Sequence, residues 1–260
     1  MRKTNTSTIS IIGASNVATH LALALHGTGH TIHQVLSRDY SHAERLASLV
    51  DAEPIDNSSL LTPHSSLYLL AVNDDSLYDL AATLRLPGAL VLHTSGSTPA
   101  DILAPVSNRY GVVWSPQTFV RDIPMDYRHL PLCIEGSTSE ATETIEKLFA
   151  TVSDNIHRLD YGQRRWTHLA AVMVNNFGNA VNALAQDIST RHGIDFALLR
   201  PLADATVAKM DHGALWPQQT GPAVRHDNKT LDLQRALLAD NPKLLQLYNL
   251  MTEIIQNRDK

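Results

Sequence analysis

The sequence of 260 residues contains only one cysteine, Cys133. A single thiol excludes disulfide frameworks and cysteine-based zinc sites within the chain. Long apolar runs are also lacking, because none approaches the roughly 20 residues that a membrane-spanning helix needs. The apolar stretch near the amino terminus is interrupted at Gly13, Ser15 and Asn16, which is not typical of a signal peptide. We therefore expect a reduced, cytoplasmic protein without a membrane partner.

Positive charge is not in excess either. The chain has 21 lysines and arginines against 26 aspartates and glutamates, and its formal net charge is −5 at pH 7. No basic cluster stands out, so nucleic acid is not an expected partner. The sequence signatures of hydrolase nucleophile turns, P-loops and zinc proteases are missing. The neighbouring His26, His30 and His33 straddle a Gly-Thr-Gly stop, so we expect no metal site there.

The pattern that is present changes near Asp160. Before it, short β-branched runs alternate with helical segments, which predicts βαβ units and a mainly parallel sheet. The predicted strands are 8–12, 31–36, 66–72, 90–93, 112–115, 130–135 and 155–159, and the predicted helices are 16–25, 41–49, 75–84 and 139–151. Beyond it only helices are predicted, over 163–190, 196–210, 228–238 and 242–257, with Asp195, Asp227 and Asn241 as caps. The sequence thus predicts an α/β domain over 1–160 and an all-α domain over 161–260.

The first strand runs into a Gly-Ala-Ser-Asn-Val-Ala turn that opens a helix. This matches the dinucleotide-binding fingerprint of Rossmann domains, with serine where a second glycine is usual. Glycine permits the tight turn, and free N–H groups at the helix start meet the phosphates. The predicted cofactor-binding residues here are Gly13, Ala14, Ser15, Asn16 and Val17. The alternative is an ordinary strand-to-helix turn that binds nothing.

The second strand ends at Ser37 and Arg38, without the acidic residue that usually binds the ribose of NAD. A serine hydroxyl and an arginine can instead bind a 2′-phosphate, which predicts NADP as the cofactor. The alternative is that Arg38 is a solvated surface residue.

Three later strand ends carry small and polar residues that we expect at the same edge of the sheet. Ala71, Val72 and Asn73 are expected beside the nicotinamide half of the cofactor, as are His93 and Ser95 after the next strand, and Ser97 is expected to contact substrate. The segment 114–119 forms a candidate site wall. The alternative for both polar turns is helix or turn capping without a ligand.

The predicted helix 163–190 carries a polar stripe when drawn at 100° per residue. The stripe contains His168, Asn175, Asn179, Asn182 and Gln186. A cleft wall is the favoured interpretation for His168 and Asn175, and Asn179 is a further substrate-binding candidate. Polar pairing with another helix is favoured for Asn182 and Gln186. In the connection 211–228, Arg225 either binds an anionic substrate group or braces a helix end.

Together these residues resemble the family of Rossmann-like proteins with a C-terminal domain of unknown function, DUF2520. The resemblance is carried by 11–22, 70–75, 93–97, 116–119, His168 with 175–177, and 220–225. It implies an NADP-dependent oxidoreductase related to pyrroline-5-carboxylate reductases and β-hydroxyacid dehydrogenases, and a homodimer built through the helical domain. Two features depart from these families: Ser15 replaces a glycine, and the 163–190 helix lacks the lysine that serves catalysis in the dehydrogenases.

The hypothesis from sequence is an NADP(H)-dependent oxidoreductase that moves a hydride to or from a small C=O or C=N substrate held between the two domains. His168 would transfer the proton and Asn175 would orient the substrate. The alternative is a non-catalytic NADP-binding sensor or scaffold. Long helices with more apolar surface than about 100 residues can bury also predict a homodimer.

Overall fold

The computed structural model describes residues 6–258. Eight strands form one sheet in the order β3-β2-β1-β4-β5-β6-β7-β8, and every neighbouring pair is parallel except β6 and β7. The strands are β1 Thr8–Ile12, β2 Thr31–Leu36, β3 Glu53–Ile55, β4 Leu67–Leu70, β5 Leu90–His93, β6 Arg109–Trp114, β7 Leu132–Gly136 and β8 Ile156–Arg158. The predicted α/β fold with a mainly parallel sheet is confirmed.

Helices cover both faces of this sheet. They are α1 Asn16–Gly27, α2 Tyr40–Leu49, α3 Asp74–Thr83 and α4 Ser139–Phe149. One core joins Ile11 of β1 to Leu25 of α1 and Phe149 of α4, and the core on the other face joins Leu70 of β4 to Leu77 of α3. Strands that are buried on both faces need continuous apolar runs, as in the wholly buried Leu-Tyr-Leu-Leu of β4.

The strand order places a topological switch point between β1 and β4. From β1 the chain builds outward through β2 and β3, then returns to pair β4 with the other side of β1. The connections after β1 and β4 therefore leave in opposite directions and open a crevice at the carboxyl ends of these strands. Ligands of open α/β sheets bind in such crevices.

The single α-helix predicted over 163–190 is interrupted. The chain forms α5 Tyr161–Ala171, a π-helical segment Val172–Phe177 and α6 Gly178–Arg191. Because π-helical bonds run from residue i to i+5, each residue in the segment turns through less than the 100° assumed for an α-helix. The polar stripe drawn from His168 to Gln186 therefore does not keep one face across Val172.

The chain divides into two compact units, Met1–Ala180 and Val181–Lys260. Within its described part the second unit has no strand, as predicted, and its helices after α6 are α7 Arg200–Ala208, α8 Asn228–Leu237 and α9 Pro242–Gln256. Asp227 and Asn241 cap α8 and α9 as predicted, whereas Asp195 caps a 3₁₀ turn that precedes α7. None of the helices in residues 6–258 is both long and apolar enough to span a membrane.

Candidate functional site

A depression at the sheet edge, here called the β1–β4 groove, has a volume of about 780 Å³. It lies at the carboxyl ends of β1, β2 and β4. The predicted cofactor residues that line it are Gly13, Ala14, Ser15, Ser37, Arg38, Ala71, Val72 and Asn73. The groove therefore brings together residues from three separate strand ends.

Gly13 is required by the geometry of the turn at the base of this groove. Its φ is +111°, and a Cβ built on it would lie 2.4 Å from the carbonyl oxygen of Ala71. Its N–H donates to the carbonyl of Leu36 at 2.7 Å. The turn thus brings the backbones of β1, β2 and β4 close together, which a side chain at this position would prevent.

Ser15 has a defined role although the fingerprint usually has glycine there. Its Oγ accepts from the N–H of Ala18 at 3.2 Å and so caps α1, and it donates to the carbonyl of Ala71 at 2.9 Å. The serine therefore ties the turn to the end of β4. Asn16 donates to the carbonyl of Phe119 at 3.0 Å, and half-buried Val17 packs against the core, so both residues shape the turn.

Arg38 is the unpaired cation at the end of β2. It is exposed and makes no hydrogen bond or ion pair with any described residue. The carboxylate of Asp39 is engaged as the cap of α2, where its oxygen accepts from the N–H of Ser41 at 2.9 Å. Hydrogen bonding to the Ser41 hydroxyl holds the pKa of Asp39 below its usual range. Of these two charged side chains, only the guanidinium makes no hydrogen bond or ion pair with a described residue.

The turn after β5 is held by its own hydrogen bonds. His93 is fully buried; its Nδ1 accepts from the N–H of Ser95 at 3.1 Å, and its Nε2 donates to the carbonyl of Pro99 at 3.3 Å. Burial, and then the nearby charge of Arg164, lower the pKa of His93 to about 4. The ring is therefore neutral, and its two nitrogens are occupied by the turn that they shape.

The serines of the same turn are also engaged. The hydroxyl of Ser95 accepts from the N–H groups of Ser97 and Thr98, at 3.2 and 3.0 Å. Ser97 donates to a carboxylate oxygen of Asp74 at 2.6 Å and so joins the turn to the start of α3. Asn73 caps α3 by accepting from the N–H of Ser76 at 2.8 Å.

A second depression, here called the β6–α5 cavity, has a volume of about 370 Å³. It is lined by residues 114–118 after β6 together with His168, Ala171, Val172, Val174, Asn175 and Asn176. The amide of Asn175 donates to the hydroxyl of Thr118 at 2.8 Å. The hydroxyl of Ser115 is buried and has no hydrogen-bond partner among the described residues. The cavity thus joins the predicted wall 114–119 with two predicted catalytic residues.

His168 packs directly against the turn after β5. Its ring lies edge-on to Trp114, with centroids 5.7 Å apart, and a Cβ on Gly96 would lie 2.8 Å from its Cδ2. Neither ring nitrogen has a hydrogen-bond partner in the described part of the chain. The lack of a side chain at Gly96 therefore lets the imidazole of His168 approach the sheet edge. The two nitrogens of that imidazole are free for a ligand.

Arg164, one turn before His168, anchors α5 to the sheet. It is only 1% exposed, forms an ion pair with Glu135 of β7, and donates to the carbonyl of Thr98 at 2.6 Å. The sequence analysis missed this residue, because a buried arginine cannot be told from a surface one without its partners. The signal available in the sequence was its spacing of four residues from His168, which places the two side chains on the same face of a helix.

Two predicted substrate residues lie elsewhere. Asn179 is exposed and is not part of the β6–α5 lining. Arg225 is exposed in the turn 221–227 of the second unit, where its charge helps to lower the pKa of Asp227. No group of three or more histidine, cysteine or acidic side chains in residues 6–258 is arranged to hold a metal ion.

Comparisons with known proteins agree with this architecture. A Rossmann-like domain model matches residues 2–115, and the model for the domain of unknown function DUF2520 matches residues 130–255. No curated protein matches the sequence. A solved structure from Bacteroides fragilis, described as a putative NADP oxidoreductase, is 33% identical, with a TM-score of 0.89 over 96% of this chain and 98% of that one.

More distant structures share the fold. A reductive aminase from Aspergillus terreus, solved with NADPH and ethyl-5-oxohexanoate, is 19% identical with a TM-score of 0.70, over 97% of this chain and 94% of that one. An imine reductase from Myxococcus stipitatus, solved with NADP⁺, is 18% identical with a TM-score of 0.68, over 96% and 93%. From its two domain models and its full-length likeness to the Bacteroides protein, the chain belongs to the family of Rossmann-like proteins that carry a DUF2520 domain.

Proposed function

We propose that the protein is an NADP(H)-dependent oxidoreductase that acts on a C=O or C=N bond of a small substrate. The observation that carries this proposal is that two depressions at one edge of the sheet contain different sets of polar groups. The β1–β4 groove has a glycine-containing turn at the start of a helix and an unpaired arginine, and the β6–α5 cavity has an imidazole with free nitrogens. The Bacteroides fragilis relative is described as acting with NADP, and more distant neighbours reduce imines, which supports this class of reaction.

The residues of the groove fit NADP. The N–H groups of Asn16 and Val17 at the start of α1 make no hydrogen bond with a described residue, and they would be open to phosphate oxygens. Ser37 and Arg38 follow β2 at the position where an adenosine 2′-phosphate is expected, and one carboxylate oxygen of Asp39 is engaged as the cap of α2. A guanidinium binds phosphate through charge-assisted hydrogen bonds, so these residues favour NADP over NAD.

The cavity supplies the groups that a reduction needs besides its hydride. When bound, NADPH supplies a hydride from C4 of its nicotinamide ring. His168 would then act as the general acid and give a proton to the oxygen or nitrogen that gains the electron pair. Asn175, which lines the cavity, would orient the substrate by hydrogen bonds.

The test is a substrate panel monitored by NADPH absorbance. Imines, keto acids and hydroxy acids are assayed with the full-length protein, with NADPH or NADP⁺ according to direction and with NADH or NAD⁺ in parallel. We expect cofactor-dependent turnover of at least one imine or carbonyl compound. Tight NADPH binding without turnover across the panel would favour the sensor or scaffold alternative, and absence of NADPH binding would reject both.

We also propose that residues 161–260 form the family's second domain and that it joins two copies of the chain. Exposed apolar side chains are frequent there, including Leu198, Leu202, Leu233 and Leu237, and Leu237 is 83% exposed. Exposed apolar patches of this kind mark association surfaces. Light scattering should give about twice the chain mass of 28.6 kDa. A mass of one chain at micromolar concentration would reject the dimer.

A further inference from the structure

Arg121 is a groove residue that neither the fingerprint nor the end of β2 contains. It lies in the connection between β6 and β7, and it lines the β1–β4 groove. Its Nη2 donates to the carbonyl of Ala14 at 3.2 Å, inside the glycine-containing turn. Its Nε is buried and has no hydrogen-bond partner among the described residues. A buried guanidinium nitrogen without a partner costs free energy until a ligand or water satisfies it.

The position of Arg121 is fixed by α1. Asn16 holds the carbonyl of Phe119 at 3.0 Å, and Nε2 of His20 donates to the carbonyl of Val120 at 2.8 Å. His20 is 1% exposed, and its Nδ1 accepts from the hydroxyl of Tyr127 at 2.9 Å. The two carbonyls that precede Arg121 are therefore clamped to the helix that begins at the phosphate-binding turn.

The two arginines of the groove stand at two different places along it. Arg38 follows β2, whereas Arg121 contacts the turn between β1 and α1. A phosphorylated dinucleotide also carries its negative charge at two places, the adenosine 2′-phosphate and the pyrophosphate. The pyrophosphate lies over the turn that opens the first helix of such domains.

We propose that Arg121 binds the pyrophosphate of the dinucleotide, reaching it from the loop after β6; this rests on the proposed binding of NADP in the groove. Its Nη2 stays on Ala14, and its remaining Nη hydrogens serve the phosphate oxygens, while the buried Nε stays within the protein. Arg121 would then contribute equally to NADPH and NADH, which share the pyrophosphate. Arg38 would contribute to NADPH alone.

The experiment is isothermal calorimetry on the full-length protein and on Arg121→Gln, with NADPH, NADH and adenosine 2′-monophosphate. We expect Arg121→Gln to weaken the binding of NADPH and the binding of NADH by the same factor, about 10- to 150-fold for a lost charge-assisted contact. Affinity for adenosine 2′-monophosphate, which has no pyrophosphate, should not change. Arg109→Gln is the matched control, because Arg109 is the first residue of β6 and lies at the amino end of that strand, away from the groove. Arg121→Lys should be intermediate, since it keeps the charge and loses the fork.

Each alternative result is distinct. Unchanged NADPH affinity in Arg121→Gln, with a wild-type protein that binds NADPH, overturns the role of Arg121 and leaves the proposed function standing. An equal loss of affinity for adenosine 2′-monophosphate would show that the substitution disrupts the whole groove and that Arg121 is only structural. This result also overturns the proposed role of Arg121. A wild-type protein that binds no NADPH overturns the proposed function together with this inference.

Discussion

The β1–β4 groove and the β6–α5 cavity lie at one edge of the same sheet but use their polar atoms differently. Around the groove, Ser15, Asp39 and Asn73 are engaged as caps of α1, α2 and α3. In the cavity, the hydroxyl of Ser115 and the ring of His168 have no hydrogen-bond partner among the described residues. The caps thus preform the groove, which keeps the unpaired nitrogens of Arg38 and Arg121 for the proposed cofactor, whereas the cavity keeps an imidazole for the proposed substrate.

Two histidines near the turn after β5 differ in the same way, because the ring nitrogens of one are hydrogen-bonded and those of the other are not. His93 is fully buried, and its turn bonds both of its nitrogens. His168 packs on the adjoining Gly96 with both nitrogens free. The first histidine is expected to act through stability and the second through catalysis.

The largest effect is expected from His168→Gln. Loss of a general acid lowers turnover by about 10²- to 10⁴-fold. NADPH affinity should stay within about twofold, because the groove proposed to hold the phosphates does not contain His168. Steady-state turnover of a substrate from the panel and an NADPH titration measure the two effects. His157→Gln on edge strand β8 is the control. A variant that keeps its turnover but loses thermal stability would show that His168 is structural.

Alanine substitutions at two glycines test the groove and leave the cavity residues unchanged. Gly13→Ala places a Cβ 2.4 Å from a carbonyl oxygen at a φ of +111°, whereas Gly29→Ala meets a similar φ of +91° in open space. Positive φ costs about 1–3 kcal/mol in both variants, and overpacking adds about 1–3 kcal/mol in the first. Urea unfolding should show the larger loss for Gly13→Ala, together with loss of NADPH binding. Equal losses would mean that the turn relaxes.

The neutral state of His93 predicts how stability depends on pH. Its folded pKa is about 4, against about 6.5 in the unfolded chain, so between these values the unfolded state binds the extra proton. Stability therefore falls as pH drops below 6.5, and this contribution levels off below pH 4. From pH 7.5 to pH 5 the loss from His93 is about 2 kcal/mol.

Urea unfolding of wild type and His93→Gln at both pH values isolates this contribution. Glutamine can accept and donate as the neutral ring does but cannot gain a proton. The variant should therefore lose about 2 kcal/mol less than wild type on acidification. An identical loss in the two proteins would place the pH dependence on other groups, such as His30, whose pKa is also lowered by burial.

The groove was predictable from sequence because its determinants are local. The Gly13 turn and the end of β1 each depend on a few consecutive residues, as do the helix caps Asp227 and Asn241 in the second unit. Strand β3 was missed because it has three residues, and Pro54 at its centre argued against a strand.

The cavity was less predictable because its geometry depends on tertiary contacts. The π-helical segment Val172–Phe177 changes which residues share a face, and no periodicity in the sequence indicates it. Arg121 lies more than a hundred residues beyond the turn that it contacts, and only the clamp by Asn16 and His20 brings it there. Neither feature leaves a sequence signature.

The most direct test of the proposed NADP groove is the affinity of the full-length protein for NADPH and for NADH, with Arg38→Ala in parallel. Unpaired Arg38 and the use of an Asp39 carboxylate oxygen as a helix cap predict that the wild type binds NADPH about 10- to 150-fold more tightly than NADH. Arg38→Ala should remove most of that preference and leave NADH affinity unchanged. Equal affinity of the wild type for the two cofactors, or tighter binding of NADH, is incompatible with a groove built for the 2′-phosphate.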